Sequence, residues 1–341
     1  MSEDIYLMKA LVERRANGMT VAIVSARTLS ERDGSSFRPW MQCEGLKANR
    51  FLNFRLFDLN SLDQFDENDF SIVHAHQNSG LLFGNYLADL HGVPTREFNC
   101  AISRYRFPKR EAARLMKSRE IEKMQDRLLG NAKGIICAGE SIEEFARPLG
   151  RTYLVRNCVD LNRYGQCDIS STQIAVCGPF SGYSNQYQIE CVVRVAKLFP
   201  RLSFLLIGRV EDRDLRILSG AANIRATAYV DNFPDALRTC SILFAPYASF
   251  SAQDGVRTKL IEAAACGMCI VATPYAMCDF YGDNVLVAEE ISELGHHLEY
   301  LAESEDNRRN MAKSMRTYVS VYHNHITETK KLIKVYEEFE N

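Results

Sequence analysis

The stretch Phe244-Ala-Pro-Tyr-Ala-Ser-Phe-Ser-Ala-Gln-Asp254-Gly-Val-Arg-Thr-Lys-Leu-Ile-Glu262-Ala-Ala-Ala-Cys-Gly267-Met-Cys-Ile-Val-Ala-Thr273 decides the reading of this 341-residue chain. Its apolar start ends at Pro246, where a strand gives way to a polar loop running to Asp254-Gly255. From Val256 a helix is expected, with Leu260, Ile261 and Ala264 on one face and Gly267 in the place of a closing left-handed residue. The apolar run Cys269–Thr273 follows at once and reads as a buried strand. Strand, helix and strand in one short segment is the unit of a parallel α/β sheet.

The start of that helix is chemically marked. Free backbone N–H groups and the positive end of the helix dipole lie beside Gly255, which suits a phosphate. Arg257 and Lys259 add cations where the dipole alone disfavours them, and an anion between them accounts for the placement. Asp254 precedes the helix and Glu262 lies about two turns in, so two carboxylates can accept bonds from sugar or ribose hydroxyls. A plainer reading stands beside this one. Leu260, Ile261 and Ala264 face the core, and Lys259–Glu262 is a surface i, i+3 pair.

Working outward, the same alternation recurs along the chain. Strands are expected at Thr20–Ser25, Ser71–Ala75 and Gly134–Ala138, then at Gln173–Gly178, Ser203–Gly208, Ile242–Pro246 and Cys269–Thr273. Ile189, Val192, Val193 and Ala196 recur at helical spacing and mark one buried face. The segment Asn157–Asp168 reads as a linker, so the chain divides into domains at 1–158 and 159–325, each near the usual size. A final helix, 326–341, is expected to return to the first domain.

Composition excludes several classes. A net charge of -2 gives no global attraction to nucleic acid. No stretch approaches the roughly 18 apolar residues of a spanning helix, and the N-terminus has no apolar signal core, so a cytoplasmic protein is expected. The 11 cysteines fall mostly inside apolar runs, where cysteine packs as a small hydrophobe. Cys266-Gly-Met-Cys269 has metal spacing, but no second pair of ligands accompanies it. No Gly-x-Gly-x-x-Gly follows a strand, so no dinucleotide cofactor is expected, and a metal is not expected either.

Asp254-x7-Glu262, followed by Ala263-Ala-Ala-Cys-Gly267 and Ile270-Val-Ala-Thr273, resembles the donor element of the family-4 retaining glycosyltransferases. Leu154-Val-Arg-Asn-Cys-Val-Asp160, Ile72-Val-His-Ala-His76 and Phe204-Leu-Leu-Ile-Gly208 resemble further segments of that family, in the right order. The resemblance implies an α/β chain of two Rossmann-like domains facing across a cleft, the GT-B fold. It implies transfer of a sugar from a nucleoside-diphosphate donor to a glycan or lipid-linked acceptor, with Asp254 on the donor sugar and Glu262 on the ribose hydroxyls. Gly178, Gly182, Gly255, Arg257 and Lys259 complete the expected donor site, and His76, at a strand's C-terminal end, joins Asp254 as a catalytic candidate. His74 is expected to be a core histidine.

Three departures from that family stand out. The first strand and its glycine-rich loop are not recognisable, Ile5–Arg14 reads as the helix after that loop, and a chain truncated at Met1 is expected. Gly178-Pro-Phe-Ser-Gly182 offers no arginine or lysine for the diphosphate, a charge Arg257 and Lys259 could supply. The histidine expected after a strand near Thr95 is replaced by Glu97-Phe-Asn99-Cys100. These losses leave a non-catalytic homologue, or a sugar-nucleotide epimerase of the same architecture, as rivals. The segment Arg104–Arg127 holds nine Lys or Arg against four Asp or Glu, either a solvated helix or a peripheral contact with anionic lipid on the cytoplasmic side.

Overall fold

The computed structural model describes residues 19–340 except 26, 28–35, 179, 181–182, 228–229 and 283, and the backbone alone for 183–186 and 213. The expected helix Ile5–Arg14 and the candidate Gly182 lie outside the described residues. In chain order the first half contains β1 (Val21–Ser25), α1 (Phe37–Ala48), β2 (Phe54–Phe57), β3 (Ile72–His76), β4 (Tyr86–Leu90), α2 (Pro94–Ser103), α3 (Lys109–Gly130), β5 (Ala132–Cys137), α4 (Glu140–Ala146) and β6 (Thr152–Leu154). The second half continues with β7 (Gln173–Cys177), α5 (Tyr183–Leu198), β8 (Ser203–Ile207), α6 (Asp212–Leu218), β9 (Ile224–Ala226), α7 (Phe233–Arg238) and β10 (Ile242–Ala245). It ends with α8 (Thr258–Ala265), β11 (Cys269–Ala272), β12 (Leu286–Val287), α9 (Ile291–Glu303), α10 (Glu305–Tyr322) and α11 (His325–Glu340).

The strands form two six-stranded parallel sheets, β2-β1-β3-β4-β5-β6 and β12-β11-β10-β7-β8-β9. This is the α/β class expected from the alternation. Every residue of β1, β3, β4, β10 and β11 is buried, as in sheets covered on both faces. Ile189, Val192, Val193 and Ala196 of α5 are at most 7% exposed, the buried face that their spacing predicts. The chain divides into two compact units. One takes the described residues through Val93 with Arg119–Cys158 and those from His325 onward; the other takes Pro94–Ser118 and Val159–Asn324. Within the first unit, Leu332, Val335 and Tyr336 of α11 pack with Met19, Val21, Ile23, Leu46 and Leu87.

Strand order fixes where a ligand can sit. In an open α/β sheet the crevice lies outside the carboxyl ends of the strands where the winding reverses. In the first sheet the reversal falls between β1 and β3, at Ser25 and His76, which are paired in register. In the second it falls between β7 and β10, at Cys177 and Ala245.

Among the described strands β1 lies at the reversal and is flanked by β2 and β3 on its two sides. One expectation is corrected. The strand near Thr95 does not exist: Pro94–Ser103 is helix α2, and the strand before it is β4. β4 was hidden because Asp89 interrupts its apolar run; the carboxylate is tolerated at 0% exposure because Arg38 of α1 pairs with it.

Candidate functional site

In the second unit the site is built on the chain between β10 and α8. Tyr247 follows β10, its carbonyl accepts from Thr273 Oγ1 at 2.6 Å, and a short turn, Ser249–Ser251, leads to Asp254. Gly255 takes φ +75°, a left-handed value that a side chain would strain, and carries the chain into α8. The helix begins at Thr258, two residues later than its apolar pattern predicts, with Arg257 as its cap. Gly267, with φ +72°, closes it as expected.

Glu262 is 3% exposed and its two oxygens are held separately: Tyr164 donates to Oε1 at 2.8 Å and Lys259 Nζ to Oε2 at 3.1 Å. The surface pair of the plainer reading is therefore a mostly buried one. Burial opposes the charge on Lys259, but the Glu262 carboxylate outweighs it and raises the lysine pKa. Burial, reinforced by the same carboxylate, raises the Tyr164 pKa and keeps its hydroxyl a donor. Lys259 Nζ also lies 3.8 Å from the centre of the Phe233 ring. Arg257 stacks 3.6 Å above Tyr247 and donates to the Ser251 carbonyl and to Gln253 Oε1. The two cations thus have protein partners, so an anion is not needed to explain their placement. Both keep unused donors, since an ammonium carries three N–H groups and a guanidinium five.

Asp254 is paired at 3.1 Å with Arg96 of α2, a residue 158 positions earlier that sequence reasoning missed. Gly178 directly follows β7; a Cβ there would meet Phe180 at 2.7 Å, and a Cβ on Gly208, with φ +132°, would meet the Gly178 Cα at 3.2 Å. Close packing explains that glycine without a ligand. The structure therefore brings Asp254, Gly255, Arg257, Lys259 and Glu262 together on one loop and helix. Lys259 and Glu262 also reach the end of β7, where both act electrostatically on the buried Cys177 thiol.

His76 lies in the first unit, at the carboxyl end of β3. It is 2% exposed, with Nδ1 2.9 Å from His91 Nε2. His91 follows β4 directly, so a histidine does stand after the strand that precedes Thr95. Asp89 is the hub. Its oxygens accept from Arg38 Nε at 2.7 Å, Arg38 Nη2 at 3.0 Å, Gln42 Nε2 at 3.0 Å and His74 Nε2 at 2.9 Å. Burial opposes its charge, but Arg38 and the imidazoles hold the carboxyl well below the usual range. Burial pushes His76 well below the usual histidine range and His91 down to about 3, so both rings are neutral at pH 7. His74 is fully buried, with Nδ1 2.6 Å from Tyr336 Oη. The ligand atoms of His74, His76 and Asp89 lie close enough for a metal ion. However, both His74 nitrogens are engaged and the Arg38 guanidinium already supplies the cation to Asp89.

Residues 172–304 match the family described as Glycosyl transferases group 1. The match to a group 1 glycosyltransferase domain is confined to the second half of the chain. Solved structures similar to this chain include sucrose-phosphate synthase from Thermosynechococcus elongatus, with TM-score 0.74, 13% identity, and coverage of 94% of this chain and 98% of that one. WaaG, a glycosyltransferase involved in lipopolysaccharide biosynthesis, has TM-score 0.69 and 12% identity, covering 92% and 99%. Anabaena HepE in complex with UDP and glucose has TM-score 0.66 and 12% identity, covering 93% and 99%. At identities this low the likeness shows the shared GT-B fold alone. No curated protein matches the chain in sequence.

Proposed function

We propose that this glycosyltransferase moves a sugar, with retention, from a nucleoside-diphosphate sugar to a glycan or lipid-linked acceptor. The observation that carries the reading is Glu262. A carboxylate held at 3% exposure beside the strand reversal, with each oxygen taking one fixed donor, keeps a lone pair on each oxygen for two adjacent ribose hydroxyls. Gly178 and Gly182 would border the donor, Gly255 would let the backbone approach its diphosphate, and unused N–H groups of Arg257 and Lys259 would stabilise charge on the leaving group. Asp254, oriented by Arg96, would face the donor sugar. His76 and His91 of the first unit are assigned to the acceptor. The binding of UDP by HepE supports a nucleoside diphosphate as donor.

Calorimetric titration of UDP, GDP and ADP, beside a donor-hydrolysis assay, tests the reading. Binding of one nucleotide together with turnover supports it. Binding without turnover on any acceptor favours the non-catalytic homologue, and conversion of the donor sugar without an acceptor favours the epimerase.

A lipid-linked acceptor has its own support in the segment 104–119. Phe107, Leu115 and Met116 are 82, 81 and 77% exposed, among seven Lys or Arg and one Glu. Apolar side chains ringed by cations suit an anionic membrane surface. No described helix is long and apolar enough to cross a membrane. Leu115→Asp combined with Met116→Asp should abolish co-sedimentation with phosphatidylglycerol vesicles; parent protein that stays in the supernatant would refute the contact.

A further inference from the structure

We infer that Gln77, His91 and His76 form a directed hydrogen-bond relay whose open end, the Nε2–H of His76, donates to an oxygen of the bound acceptor. The inference rests on the reading that the strand ends of the first unit hold the acceptor of the transferase. It begins from Asp89, which can only accept. Since its oxygens are held by Arg38, Gln42 and His74, neither takes a short bond from the outer histidines: His76 Nδ1 is 3.8 Å away and His91 Nε2 is 3.6 Å. The short contact is between the two rings, Nδ1 of His76 to Nε2 of His91 at 2.9 Å. One proton lies in that contact, because both rings are neutral. Asp89 is nearly equidistant from both nitrogens and does not decide which carries it.

Gln77 decides. Its Nε2 is 3.0 Å from His91 Nδ1, and an amide nitrogen donates, so His91 Nδ1 is bare and its proton is on Nε2. His91 then donates to His76 Nδ1, and His76 must carry its own proton on Nε2. That atom is buried and has no hydrogen-bond partner among the described residues. A buried donor left open at the carboxyl end of a strand beside the sheet's reversal is completed by a ligand. Gln77 itself sits at φ +51°, a conformation that residues other than glycine rarely adopt, in the turn directly after β3. The strained backbone aims the amide at His91. Gln77 is thus a positioning residue acting through two rings. His76, as a neutral N–H donor, selects for an oxygen acceptor such as a sugar hydroxyl and does not serve as a base.

Nitrogen-15 NMR of the histidine side chains in the full chain, without ligand at neutral pH, tests the relay independently of turnover. Signals are assigned from His76→Gln and His91→Gln. Protonation at Nε2 on both rings is expected; His76 protonated at Nδ1, or a charged ring at either position, overturns the direction. In Gln77→Met, which removes the donor at similar size, both rings should shift toward a mixture of tautomers, and unchanged signals overturn the role of Gln77. With a substrate pair established by turnover, His76→Gln, which still presents an N–H, should keep at least tenfold more kcat than His76→Leu; equal loss overturns the donor role. The expected tautomers in a protein that turns over no donor would sink the transferase reading and leave the relay standing.

Discussion

Replacing Glu262 by glutamine separates the binding and structural roles of this carboxylate. Glu262 accepts from Tyr164 at 2.8 Å and Lys259 at 3.1 Å while 3% exposed. An amide has one oxygen, so in Glu262→Gln that oxygen faces Lys259 and the NH2 faces Tyr164, whose hydroxyl turns to accept. Both contacts survive: the Tyr164 bond loses its charge assistance, and the Lys259 bond keeps only the charge of the ammonium. Bonds to charged groups contribute about 1.5–3 kcal/mol and neutral ones about 0.5–1.5, so the loss is about 1 kcal/mol per bond and about 2 in total. Deleting one partner of a fully buried pair costs about 3–5 kcal/mol; the 23% exposure of Lys259 and the surviving contacts keep this substitution below that. For a domain of this size 1 kcal/mol moves Tm by roughly 2–4 °C, so a fall of roughly 4–8 °C is expected. If the remaining lone pairs hold ribose hydroxyls, nucleotide affinity falls on the order of ten- to a hundredfold as well. Calorimetric melting and titration with the nucleotide bound by the parent measure both effects. A melt displaced by less than about 1 °C, with unchanged affinity, would refute the reasoning.

Three further predictions follow from the same geometry. His76 and His91 have folded pKa values below the unfolded value near 6.5, so the stability they contribute is present above pH 6.5 and lost as pH falls, for His91 down to about 3. At pH 5 His91 should have cost about 2 kcal/mol, and melts from pH 7.5 to 5 that do not flatten in His91→Gln would contradict this. Tyr336→Phe removes the donor to His74 Nδ1 and leaves a buried nitrogen unpaired, at about 1–3 kcal/mol; an unchanged denaturation midpoint would show that the bond carries nothing. Gly267→Ala meets no contact closer than 3.5 Å but imposes φ +72° on an alanine, for about 1–2 kcal/mol; an unaltered melt would mean that the helix end re-forms without the left-handed residue.

The second unit was the more legible half, because its residues act close to where they stand in the chain. Gly267, the apolar face of α8, and the strands β10 and β11 are local patterns of period and turn chemistry, and they determine a strand-helix-strand unit without knowledge of the rest. The same locality placed Asp254 and Glu262 on one loop and helix. The partners of those residues were not legible. Tyr164 and Arg96 reach them from 98 and 158 positions away, and nothing in a hydroxyl or a guanidinium announces its mate.

The first unit was harder because its chemistry is buried charge. Asp89 makes β4 look unlike a strand, so the strand was missed and His91 with it. Only the packing of α1 onto the sheet, which brings Arg38 within 2.7 Å of that carboxylate, turns a costly buried anion into the hub of a site. The sequence by itself determined the α/β class, the buried strands β1, β3, β10 and β11 and the loop and helix that carry the donor candidates, since these follow from periodicity and local backbone preference. The tertiary structure alone decided which carboxylate is paired, which imidazole nitrogen is left open and where each sheet reverses its winding, because each depends on groups far apart in the chain being brought within hydrogen-bond reach.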